Sequence, residues 1–266
     1  MLLAELHTLF RRARVRALLA VLFLIPFLLT VAVRLSGGPS AGDGPTFLDR
    51  VAHNGVFAAL AGLAVTIPFF LPLTVAVVAG DAIAGEASVG TLRYLLARPA
   101  GRVRLLGVKS ATLLAYCVLA GLVVAAGGLV GGAIFFPVGR VLTLSGTTVS
   151  LAEGIWLSFL AAVVVGTSLL GLAAIGLFIS TLTDVPVGAM AATVGIAVLS
   201  AVLDAVPQVS YLHPWLFTHD WQAFPDLLRV PIVWSSIDRD LLLQLGYVVV
   251  FAAAAWARFT TKDVLA

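Results

Sequence analysis

Long apolar runs separated by short polar segments dominate the chain. A helix needs about 20 mostly apolar residues to cross the hydrocarbon core of a bilayer, and six runs reach that length. Almost no amphipathic segments remain that could wrap these runs as the core of a soluble protein. The sequence therefore predicts six transmembrane helices, at about residues 17–35, 56–79, 108–136, 155–182, 186–206 and 241–257.

The composition supports this picture. Hydrophobic residues make up 61% of the 266 residues and charged residues only 11%, whereas soluble domains average roughly 45–50% and about 25%. We expect an all-α, polytopic membrane protein forming a single transmembrane domain over residues 1–266. The single cysteine, Cys117, excludes a disulfide framework and a multi-cysteine metal site. The few basic residues form no stripe that would bind nucleic acid.

Two segments outside the spans have a pattern of their own. Residues 1–16 carry leucines on one helical face and charged residues elsewhere, which predicts an amphipathic helix lying in the headgroup region; a simple extension of the first span is the alternative. Residues 207–240 mix four prolines with Trp215, Phe217, Trp221, Phe224 and Trp234. Such aromatic enrichment marks the membrane–water boundary, so we expect short surface or re-entrant helices there.

The distribution of basic residues predicts the orientation. With the N-terminus inside, the inner segments hold 11 of the 16 Lys and Arg residues and the outer segments hold 5. Cytoplasmic loops carry the excess of positive charge in most membrane proteins. Both termini are therefore expected in the cytoplasm, with the chain in the cytoplasmic membrane and in contact with its lipids.

In this orientation, one sizeable segment between spans is expected in the cytoplasm, namely residues 81–107. Asp81 and Glu86 lie where the second span ends, since a carboxylate deep in hydrocarbon needs a partner. The stretch from Thr91 to Ala97 is compatible with a helix, which Pro99 would end. A short charged helix at the inner membrane surface is suited to docking another protein.

The residues of this segment resemble a known signature. The pattern Glu86-x-x-x-Gly90-Thr91-Leu92-Arg93-x-Leu95-Leu96-x-x-Pro99-x-x-Arg102-x-x-x-Leu106-x-x-Lys109 is similar to that of type-2 ATP-binding-cassette (ABC) transporter permeases, the membrane subunits of bacterial exporters. The six-span layout, the amphipathic entry helix and the aromatic segment before the last span extend the resemblance over nearly the whole chain.

The resemblance implies a role for this segment. In the family it forms a coupling helix, which sits in a cleft of an ATPase subunit and transmits its movement. Glu86 and Arg93, seven residues apart, would share one face of that helix and meet charges of opposite sign. The residues expected to form or shape the coupling site are Asp81, Glu86, Gly90, Thr91, Leu92, Arg93, Leu96, Arg98, Pro99 and Arg102.

The resemblance also implies partners and a function. We expect two copies of an ABC ATPase subunit, which would carry ATP and Mg²⁺, and a second permease, identical or paralogous. The chain itself is expected to hold no cofactor and no catalytic site. Residues 101–110 superficially resemble a phosphate-binding loop, but the spacing between the glycines and the lysine is wrong. The expected activity is export of a hydrophobic or amphipathic drug, antibiotic, peptide or lipid.

Two other functional classes compete with this one. A secondary transporter or channel would carry intramembrane charges or inverted repeats with broken helices, and neither is evident in the sequence. A non-transporting membrane scaffold needs no coupling signature, so residues 86–109 count against it.

Weaker signals lie elsewhere in the chain. The pairs Gly127/Gly131 and Gly128/Gly132 would permit close helix packing in the third span, and the hydroxyls within the spans are expected to bond their own backbone. His213, His219 and Asp220 lie close together in the outer segment; without further ligands they favour a polar cluster over a metal site.

Overall fold

A computed structural model describes residues 2–36, 47–90 and 101–261. These residues are mostly α-helical, and six helical spans are long and apolar enough to cross a membrane, which confirms the predicted all-α polytopic fold. The α-helices are α1 (Leu2–Arg11), α2 (Ala13–Ser36), α3 (Leu48–Val51), α4 (Phe57–Thr66), α5 (Phe70–Ser88), α6 (Arg102–Phe135), α7 (Leu151–Ser168), α8 (Leu170–Leu182), α9 (Pro186–Asp204) and α10 (Ser235–Thr261).

The second span is broken into two helices. Pro68 has no N–H to donate to the carbonyl one turn before it, and Phe69 leaves the helical region with φ −142° and ψ −56°. The apolar run therefore forms α4 and α5 rather than the one helix predicted over residues 56–79. The second helix continues to Ser88, so Asp81 and Glu86 lie on its last turns.

The fourth span is also interrupted, at Leu169 between α7 and α8. A side chain from α10 accepts a hydrogen bond from a backbone N–H group at this interruption. The Oε1 atom of Gln244 accepts a hydrogen bond from the backbone N–H of Gly171 at 3.2 Å. Its Nε2 atom donates to the Phe217 carbonyl and to Asp240 Oδ1, both at 2.8 Å. Because an unpaired N–H in an apolar setting is costly, Gln244 stabilises the interrupted span.

The last helix begins earlier than the sequence indicated. The prediction placed its start at residue 241, whereas α10 begins at Ser235. Asp240 therefore lies inside this helix and is buried, with 1% of its surface exposed, where its carboxylate accepts a hydrogen bond from the Ser168 hydroxyl. The polar residues before 241 belong to the first turns of a span and not to a loop.

Glycines in the third span allow α6 to touch two neighbouring helices through their backbones. A Cβ atom added at Gly132 would lie 2.0 Å from the Gly55 carbonyl oxygen, and one at Gly128 would lie 2.5 Å from the Ala58 carbonyl oxygen. At Gly127 the added atom would lie 2.3 Å from the carbonyl oxygen of Phe23 in α2. The predicted close packing through small residues is confirmed.

Four threonines within the spans bond their own helices, as expected. The Thr66 hydroxyl donates to the Gly62 carbonyl at 2.8 Å, and the Thr193 hydroxyl donates to the Ala189 carbonyl at 2.7 Å. Thr74 and Thr167 bond carbonyls of their own helices in the same way.

We call the end of the bundle that carries α1 the α1 face. The opposite face is built from short elements: strands β1 (Val141–Leu142) and β2 (Thr148–Val149) pair antiparallel. Two 3₁₀ helices follow α9, at Pro207–Trp215 and Phe224–Leu228, which confirms the expected short helices in the aromatic segment. The Leu144 N–H donates to the Leu228 carbonyl at 2.9 Å and joins the hairpin to this segment.

The glycine contacts predict the effect of a single methyl group. Gly132→Ala should destabilise the protein by about 1–3 kcal/mol, because the new Cβ would overlap the backbone of the second span. Thermal unfolding in detergent measures the effect. Gly107→Ala is the matched control on the same helix, since open space surrounds that position. Equal unfolding temperatures for the two variants would contradict the backbone contact.

Candidate functional site

Three segments meet at the α1 face: helix α1, the last turns of α5 and the first turns of α6. The predicted N-terminal helix is present as α1, a separate helix that ends at Arg11 and packs against α6. Leu9 turns into the bundle and is 9% exposed, while Leu3 is 82% exposed. One face of α1 therefore contacts protein, and the other is left to the surroundings.

Lys109 joins these three segments. Its side chain is 4% exposed and its ammonium group donates to Glu5 Oε1 of α1 at 2.5 Å. The same ammonium contacts Glu86 Oε1 of α5, whose side chain is 11% exposed. A buried ammonium requires compensation by charge and hydrogen bonds, and two carboxylates from different helices supply it here. We call Glu5, Glu86 and Lys109 the lysine clamp.

A second ion pair holds the junction of α1 and α2 against α5. Arg12 Nη1 lies 2.8 Å from Asp81 Oδ2, and Arg14 Nη2 lies 3.5 Å from the same oxygen. A Cβ atom at Gly85, one turn further along α5, would lie 2.6 Å from Asp81 Oδ1. Glycine at that position leaves the carboxylate room to face the arginines.

The lysine clamp and the ion pairs of Asp81 with Arg12 and Arg14 belong to one cluster. A small cavity of about 30 Å³ is lined by Glu5, Arg12, Arg14, Asp81 and Lys109 together. With Glu86, the part of the cluster that lies among the described residues contains three acidic and three basic side chains, whose formal charges cancel. The cluster therefore links three segments of the chain by ion pairs.

The turn of α5 that carries Asp81 is also tied to the fourth span. The Ser180 hydroxyl of α8 accepts from the N–H groups of Ile83 and Ala84, at 3.0 and 2.9 Å, and donates to the Gly80 carbonyl at 2.7 Å. A side chain inserted in this way satisfies backbone groups that the helix leaves open. The end of α5 is thereby fixed to α8 as well as to α1 and α6.

Helix α5 ends just beyond this cluster. Val89 follows its last residue and is 75% exposed, and Gly90 adopts a φ of +73°, which favours glycine. Glu86 therefore lies on the last turn of a helix that ends at Ser88, and Arg93, which was expected to share a helical face with it, lies outside the described residues.

The remaining predicted site residues are distributed unevenly. Asp81, Glu86 and Gly90 lie together at the end of α5, and the carboxylates of Asp81 and Glu86 are paired within the chain. Arg102 is the first residue of α6. Thr91, Leu92, Arg93, Leu96, Arg98 and Pro99 lie outside the described residues.

Several members of the cluster were not predicted as site residues. Lys109 was recognised in the motif but not as a partner of Glu86, although the two are its first and last charged residues. Glu5 carried a weak signal as an acidic residue in a basic terminal segment. Nothing in the local sequence around Arg12 or Ser180 indicates its partner, which lies on another helix.

Comparison with known proteins agrees with this architecture. A family model described as ABC-2 family transporter protein matches residues 3–216. The chain belongs to the ABC-2 transporter family. The resemblance read from the sequence is therefore confirmed, and the chain is a multi-pass membrane permease subunit of an ABC transporter, a family whose permeases associate with an ABC ATPase subunit. No curated protein is significantly similar to it in sequence.

The lysine clamp predicts a large cost for removing one charge. Lys109→Met keeps most of the length of the side chain but removes the cation that Glu5 and Glu86 share, and should destabilise the permease by about 3–5 kcal/mol. Thermal unfolding in detergent measures this loss. Adding Glu5→Gln and Glu86→Gln should restore most of the stability, because neutral isosteres remove the repulsion.

The control for this variant is Arg104→Met, which removes a positive charge from an exposed position of the same helix. It should unfold close to the wild-type temperature. If Lys109→Met did the same, the clamp would contribute nothing to stability.

Proposed function

We propose that this ABC-2 permease is the membrane subunit of an ATP-driven exporter that moves a hydrophobic or amphipathic substrate outward across the cytoplasmic membrane. The observation that carries the proposal is the lysine clamp. It joins α1, α5 and α6 on both sides of residues 91–100, within the segment 81–107 that resembles the family's coupling region. A force applied to that segment by an ATPase would reach three helices at once.

The proposed assembly is the one that the family resemblance implies. Two ATPase subunits carry ATP and Mg²⁺, and each docks on one permease. A second permease, identical or paralogous, supplies the second docking segment and the other half of the substrate path. Closure of the ATPase pair moves the two rigid units relative to each other, and the helices that follow open the path alternately.

A cavity beside the broken second span supports an apolar substrate. Its volume is about 400 Å³, and it lies between the α4–α5 break and α9 towards the opposite face. Ile67, Pro68, Leu73, Val198 and Val202 are among its apolar lining residues. A cavity of this kind suits a hydrophobic group better than a hydrophilic solute.

The second candidate is an ion-coupled transporter, and Asp240 is the observation that favours it, since a buried carboxylate in a span often marks an ion or proton path. Transport in proteoliposomes separates the two functions. An exporter needs the ATPase and hydrolysable ATP, whereas an ion-coupled transporter needs only a gradient. Transport driven by a gradient without the ATPase would overturn the proposed function.

The proposed orientation predicts a labelling pattern. An impermeant maleimide applied to intact cells should react with Ser40→Cys in the first loop and should not react with Arg104→Cys at the α1 face. After lysis both variants should react, while Cys117, which is buried, should not. The reverse pattern in intact cells would contradict the cytoplasmic location of the α1 face.

The docking proposal predicts an effect at Val89. Because this exposed apolar residue leads into the coupling segment, Val89→Asp should weaken binding of the permease's own ATPase, by about tenfold or more if the residue enters a desolvated contact. Co-purification of the complex and substrate-stimulated ATP hydrolysis measure the effect.

Leu142→Asp is the matched control for that variant. Leu142 is also apolar and is 47% exposed, but it lies in the hairpin at the opposite face. It should leave the complex intact. Normal ATPase binding and hydrolysis with Val89→Asp would contradict docking at the end of α5.

A further inference from the structure

Three metal-ligating side chains meet at the opposite face, away from the lysine clamp. Asp204 is the last residue of α9, His213 lies in the first 3₁₀ helix, and His219 follows that helix. One ligand atom from each residue lies within 4.8 Å of the other two. Sequence proximity groups the histidines with Asp220 instead, since the fold that brings Asp204 back to them is not visible in the local pattern.

Neighbouring groups hold the histidines in place. The Nε2 atom of His213 lies 3.2 Å from the Val206 carbonyl oxygen. A carbonyl oxygen only accepts, so Nε2 carries the proton and Nδ1 of the neutral ring keeps its lone pair. Metal-binding histidines are commonly oriented by such a bond from the other ring nitrogen. Thr218 directly precedes His219, and its hydroxyl lies 2.8 Å from the Ser200 hydroxyl of α9.

The distances are close to those of a coordination site. His219 Nδ1 lies 2.6 Å from Asp204 Oδ1, and the two imidazole rings have centroids 5.6 Å apart. In a tetrahedral zinc site with bonds of about 2.0–2.1 Å, the ligand atoms are ~3.3 Å apart. His219 and Asp204 would separate by less than ~1 Å to admit the ion, and His213 would draw in by up to ~1.5 Å.

We propose that Asp204, His213 and His219 bind a divalent transition-metal ion, with Zn²⁺ as the expected occupant. Two imidazoles and one carboxylate form a donor set that selects zinc over the harder ions Mg²⁺ and Ca²⁺, and the fourth position is left for water. An ion pair between His219 and Asp204 alone is the competing explanation. It gives no role to His213, whose ligand atom is the third member of the group.

Binding at this site would affect the proposed substrate cavity. Asp204 and Thr218 both line the cavity beside the broken second span. An ion held by Asp204 and the two histidines would join the end of α9 to the segment that follows it, and so would fix one side of the cavity rim. Zinc would thereby restrain this side of the permease during transport.

The test uses the permease–ATPase complex in lipid nanodiscs, purified without a polyhistidine tag and stripped with a chelator. Isothermal titration with Zn²⁺ should show about one ion per permease at micromolar affinity or tighter. With Co²⁺, the visible absorption should have the intensity typical of a tetrahedral site. Absence of a binding isotherm above that of the ATPase alone would overturn the proposal and leave the ion pair only.

Variants separate this site from adventitious binding. His213→Ala, His219→Ala and Asp204→Asn should each weaken zinc binding by about tenfold or more, whereas His53→Ala, which removes an exposed histidine from another loop, should not. His219→Cys is the second kind of variant: it should keep zinc and add a thiolate-to-cobalt charge-transfer band. Wild-type affinity in His213→Ala or His219→Ala, or no such band in His219→Cys, would refute the assignment.

Discussion

The ammonium group of Lys109 lies buried between two carboxylates that come from different helices, and the organisation of the α1 face depends on it. A cation with 4% of its side chain exposed is stable only because Glu5 and Glu86 compensate its charge. That requirement fixes α1 on α6 and fixes the end of α5 beside both. Arg12 and Asp81 add a second link between the same segments. The chain thus enters and leaves segment 91–100 through one charge-balanced cluster.

Contacts between helices connect this cluster to the rest of the bundle. The Ser180 hydroxyl ties the last turns of α5 to α8, and glycines bring α6 against the backbones of the first two spans. By contrast, the second span is interrupted near Pro68 and the fourth at Leu169. The ion pairs and the Ser180 hydrogen bonds fix the segments at the α1 face, whereas the interruptions lie further along the spans. This arrangement suits a permease in which a movement at one face is converted into a rearrangement at the other.

The spans could be predicted from the sequence because hydrophobicity over about 20 residues is a local property. The start of α10 could not, because Asp240 resembles a loop residue until its partners Ser168 and Gln244 are known. Lys109 was interpreted as one more basic residue on the inner side, since its partners lie on other helices. Asp204 was missed for the same reason: sequence proximity favoured Asp220, and the turn after α9 decides otherwise.

The central claim is that α1 and the end of α5 move together when the ATPase closes. It is tested most directly by spin labels at the exposed positions Thr8 and Ser88, with distances measured in the complex before and after trapping with ATP. The distance from Thr8 to Ser88 should stay the same, while the distance between the two Ser88 labels of a permease pair should change. A change in the Thr8–Ser88 distance on ATP binding would contradict the account.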